Sequence, residues 1–107
     1  MKKMIINYSK FGQFFSDFET EKAINLMIAS PLLDEVSVST EMALDCFRLA
    51  VKEGRLKPYE TYINYTDEND ILHKIEIDSQ GNYGYKDGKT PIGFDCLRSN
   101  ILFKLLN

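Results

Sequence analysis

The sequence has no tryptophan, one histidine, two cysteines and three prolines in 107 residues. Each shortage removes a class of function. His73, Cys46 and Cys96 are fewer than the four ligands of a structural zinc site, and neither CxxC nor HxxxH spacing occurs, so no metal is expected. There is no GxxxxGK[ST] or GxGxxG run to cradle a phosphate, so the chain is not expected to hydrolyse nucleotides alone and no cofactor is assigned. No segment approaches the roughly 18 apolar residues of a membrane helix. The short apolar start Met4-Ile5-Ile6, read as a short strand or an anchoring segment, is followed at once by Asn7 and Lys10, which argues against a signal peptide, and no membrane partner is expected. Basic blocks are also missing. Thirteen Lys+Arg face sixteen Asp+Glu, for a net charge of −3. Residues 1–54 hold six basic and eight acidic side chains and residues 55–107 hold seven and eight, so neither half is a charged docking patch.

What remains is an ordinary soluble composition, 44% hydrophobic and 27% charged, in a chain long enough for one core. One domain over residues 1–107 is expected. Two widely separated cysteines without a leader fit reduced thiols in a cytoplasmic protein.

The aromatic residues are what is concentrated. Phe11, Phe14, Phe15 and Phe18 fall at i, i+3, i+4 and i+7, the spacing of one helix face, with Ser9 as an N-cap and Gly12 as a weak point. A second helix is read from Thr20, as N-cap, to the Ser30-Pro31 break. Leu32–Val38 is ambiguous, with Val36 and Val38 alternating as in a short strand. A third helix is read over 41–53. Thr40 caps it, Glu41 sits in its first turn, Ala43, Cys46, Phe47 and Ala50 form its apolar stripe, and Gly54 follows its end. The period then switches to two. Tyr59, Thr61, Ile63 and Tyr65 share one strand face, and Ile71, His73, Ile75 and Ile77 share a face of the returning strand. A turn at 78–82 leads to a third extended piece at 83–85, and a closing helix is read near 95–106 with Leu97, Ile101, Leu102 and Leu105 inward. The expected fold is therefore α+β: N-terminal helices, a small antiparallel meander of about three strands and a C-terminal helix.

Few constellations carry chemistry. His73 lies among isoleucines, which fits a satisfied core or edge histidine better than a catalytic one. Asp67, Glu68 and Asp70 resemble the start of a calcium loop, but Ile71 breaks the series, and a solvated hairpin tip is expected instead. Asp78, Gln80 and Asn82 read as Asx-type turn residues. Tyr59, Tyr62, Tyr65, Tyr83 and Tyr85 are types that stack on bases, yet the basic residues of such surfaces do not accompany them, which argues against nucleic acid. The Phe11, Phe14, Phe15 and Phe18 stripe is read first as core. It is also the candidate partner-binding surface, since four aromatics on one short face suit an interface hot spot.

One stretch has a wider resemblance. The helix through Phe47-Arg48-Leu49-Ala50-Val51-Lys52 follows Ser39-Thr40-Glu41. Next come Glu53-Gly54-Arg55-Leu56-Lys57-Pro58, the strands Tyr62–Tyr65 and Lys74–Asp78, and Gly81 leading to Pro91-Ile92-Gly93-Phe94-Asp95. Over about residues 38–97 this order resembles the C-terminal part of AAA/ABC-like ATPases of the overcoming-lysogenisation-defect class, found in bacterial phage-defence systems. Ser39 stands where that family has a switch histidine, the closing tryptophan is missing, and so is the upstream nucleotide-binding core. The resemblance therefore implies a free-standing ATPase tail with no catalytic residue to carry over. The function expected is a non-enzymatic accessory or regulatory subunit that binds an ATPase or nuclease, or associates with itself. The alternatives are a small enzyme using His73 with Cys46 or Cys96, and a homodimeric structural domain.

Overall fold

In the computed structural model, residues 1–67 and 69–84 are described, Lys10 by its backbone only. They form β1 (Ile5–Gln13), α1 (Asp17–Ala29), β2 (Glu35–Val38), α2 (Glu41–Lys52), β3 (Tyr62–Thr66), β4 (Leu72–Ile77) and β5 (Tyr83–Gly84). The strands make one sheet in the order β2-β1-β3-β4-β5. β2 and β3 run parallel to β1 on either side of it, and β4 and β5 continue antiparallel from β3.

This overturns the expected architecture. Helices and strands are both present, but β3, β4 and β5 are three strands of a mixed five-stranded sheet rather than a separate meander. The chain also begins with a strand. Phe11 belongs to β1, Phe14 and Phe15 to the loop after it, and Phe18 to the first turn of α1, so the four phenylalanines do not share a helix. Ser9 is within β1, where its Oγ accepts from the Phe11 amide at 3.3 Å. Thr20 is no N-cap either. That position is Ser16, and the buried Thr20 hydroxyl donates back to the Ser16 carbonyl at 2.7 Å.

The strongest local signals hold. Thr40 Oγ1 accepts the Ala43 amide at 3.2 Å to cap α2, and Gly54 past its end has φ +79°, the left-handed value that favours glycine. α1 has no basic residue in its last turn. Lys2 serves instead, its ammonium donating to the carbonyls of Met27 (3.2 Å), Ile28 (3.2 Å) and Ser30 (2.5 Å) at the negative end of that helix.

The core lies between the sheet and the two helices. Ile6 of β1, Val36 and Val38 of β2, Ile63 of β3, and Ile75 and Ile77 of β4 face Ile24 and Ile28 of α1 and Ala43, Leu44, Phe47, Ala50 and Val51 of α2. The opposite sheet face is polar. On it Asn64 Nδ2 donates to Asn7 Oδ1 at 3.1 Å, and Asn7 Nδ2 donates to Glu35 Oε2 at 2.9 Å. Both helices therefore lie on one face, although β2 and β3 flank β1 on opposite sides. The crossovers β1–α1–β2 and β2–α2–β3 must then have opposite hand, so one is left-handed, a rare arrangement for parallel strands.

The closing helix near 95–106, the Pro91–Asp95 motif, Tyr85, Cys96 and Glu68 lie outside the described residues. Among the described residues, no helix is long and apolar enough to cross a membrane.

Candidate interaction surface

The four phenylalanines differ in environment. Phe11, Phe14 and Phe18 are 86%, 72% and 97% exposed, and Phe15 is half-buried. Loss of the common helix is the cause: β1 carries its register into the sheet only at Ile5–Tyr8, then bulges over 9–12 before Gln13 meets Val38. That bulge and the following loop push the rings outward, and α1 turns Thr20, Ile24 and Ile28 inward rather than Phe18.

Beside Phe18 the surface continues into a groove between α1 and α2. Phe18, Glu21, Lys22, Asn25 and Leu26 line a first depression. Glu21 and Asn25 are shared with a second one of about 480 Å³, lined also by Met42, Asp45, Cys46, Leu49, Glu53 and Arg55. Met42, Cys46 and Leu49 fall at i, i+4 and i+7 on α2, an apolar row beside its fully buried face, with Cys46 partly packed against the core. The place of Cys46 on the apolar stripe agrees with its partial packing against the core, while Met42 and Leu49 carry no signal of their own. Their joint spacing was the available signal. Cys46 is a free, half-buried thiol. Burial pushes its pKa up, and the carboxylates of Glu21 and Asp45 add to the rise, against a smaller opposing effect from Arg55.

At the β3–β4 end a second cluster has a different character. Tyr8, Tyr65 and His73 are register partners on β1, β3 and β4. Ring centroids lie 6.1 Å apart for Tyr8 and Tyr65, and 6.3 Å apart for Tyr65 and His73, the latter pair nearly parallel. His73 Nε2 is 2.7 Å from Asp67 Oδ2. Asp67 is not the solvated hairpin tip expected of it. It is 6% exposed, and its Oδ1 accepts the amides of Asn69 (2.8 Å) and Ile71 (3.0 Å). The His73 hydrogen bond chiefly, and those two amides, hold its carboxyl below the ordinary range against the opposing effect of burial. With Asp67 ionised, His73 Nε2 is the donor in this hydrogen bond.

This pair can orient an imidazole; of the two thiols the enzyme alternative names, Cys46 lines the groove between α1 and α2 and Cys96 is outside the described residues. His73 lies on β4 with Asp67 as its hydrogen-bond partner, a pairing that the sequence pattern does not name. Asp78 behaves as an Asx turn, its Oδ1 accepting the amides of Gln80 and Asn82 at 2.9 Å each. Among the described residues, no three His, Cys, Asp or Glu side chains are placed to hold a metal ion.

No protein-family model matches the chain, and no curated protein or solved structure matches it.

Proposed function

We propose that the chain is a non-catalytic protein-binding domain, an accessory or regulatory subunit that docks through Phe11, Phe14 and Phe18 on an ATPase or nuclease. The observation that carries this reading is the exposure of Phe14 and Phe18, neighbours on one loop and helix start, in a chain with few residues of catalytic type. Exposed phenylalanines lower solubility and contribute nothing to the core, and aromatic anchors are what protein interfaces bury at their centres. The ATPase choice rests on the residue order from Ser39 to Asp95 and on nothing else. The phage-defence setting belongs to the same argument.

The test is to mix the chain with an ATPase of that class and follow the complex by size-exclusion chromatography and titration. Wild-type protein should move to the larger complex. Phe14→Ser together with Phe18→Ser should weaken binding by about 30-fold or more, the size of one hot spot. The unfolding midpoint of this variant should be unchanged, since neither ring is in the core. Binding unaffected by the double substitution overturns the docking surface, and a wild-type chain that forms only its own dimer overturns the accessory role.

A further inference from the structure

We draw no further inference here: the strongest candidate, the groove between α1 and α2 floored by Met42, Cys46 and Leu49, has its acids Glu21, Asp45 and Glu53 matched by Lys22, Arg48 and Arg55, and nothing in the structure shows what covers it.

Discussion

Asp67 shows how one side chain acquires a role its neighbours in sequence do not announce. Set among Glu68, Asn69 and Asp70, it reads as part of a wet loop. Its carboxylate instead closes the turn through two amides and fixes the imidazole six residues on. That burial arises because the β3–β4 register sets Tyr65 against His73 and draws Asp67 in beside them, a pairing that composition does not reveal. The pH consequence follows from the direction of its shift. A carboxyl held below its ordinary value favours the folded state above about pH 4, and that contribution is lost as pH falls through the lowered native value. Urea midpoints of wild-type protein and Asp67→Asn should therefore differ most near pH 6 and converge toward pH 3. A gap that stays constant across that range means the ionised carboxylate contributes nothing.

Among the elements, those with local signals were legible and those made by distant pairing were not. α2 carries its own cap, its acidic first turn, its apolar stripe and its terminal glycine, and it forms where these place it. β3 and β4 show clean alternation. β1 was legible only at its start, where Met4-Ile5-Ile6 allow a short strand; beyond it Phe11, Phe14, Phe15 and Phe18 imitate a helical period while belonging to a strand, a loop and a helix start. Gly12 was the contrary signal. A Cβ there would lie 2.2 Å from the Val38 carbonyl oxygen, so β1 can pass β2 at this point only without a side chain. Gly12→Ala should cost about 1–3 kcal/mol or more in urea unfolding, since the obstruction is backbone and cannot rotate aside. The groove was half legible: Phe18 stood out, but the Met42, Cys46 and Leu49 row became visible only once α2's inner face was known.

The molecule as a whole depends on contacts between remote parts of the chain. Lys2 is the clearest case: its backbone carbonyl accepts the Lys57 amide at 2.7 Å while its ammonium closes the end of α1. Lys2→Met keeps the stem and removes the charge, and should lower unfolding free energy by about 1–2 kcal/mol, with a smaller loss if the carbonyls turn to water. The one-sided helical layer was hidden for a similar reason, because the usual right-handed rule would place α1 and α2 on opposite faces. The position of β1 between β2 and β3 has a consequence for how the protein is made. Ile5 pairs with Glu35 and Tyr62, both synthesised long after it, whereas the pairings between near neighbours, β3 with β4 and β4 with β5, lie in later sequence. At about 5–20 residues per second, β1 leaves the ribosome several seconds before its last partner exists. Throughout that interval its apolar residues are open to chaperones and to other nascent chains, so β1 waits longer for its partners than any other described strand.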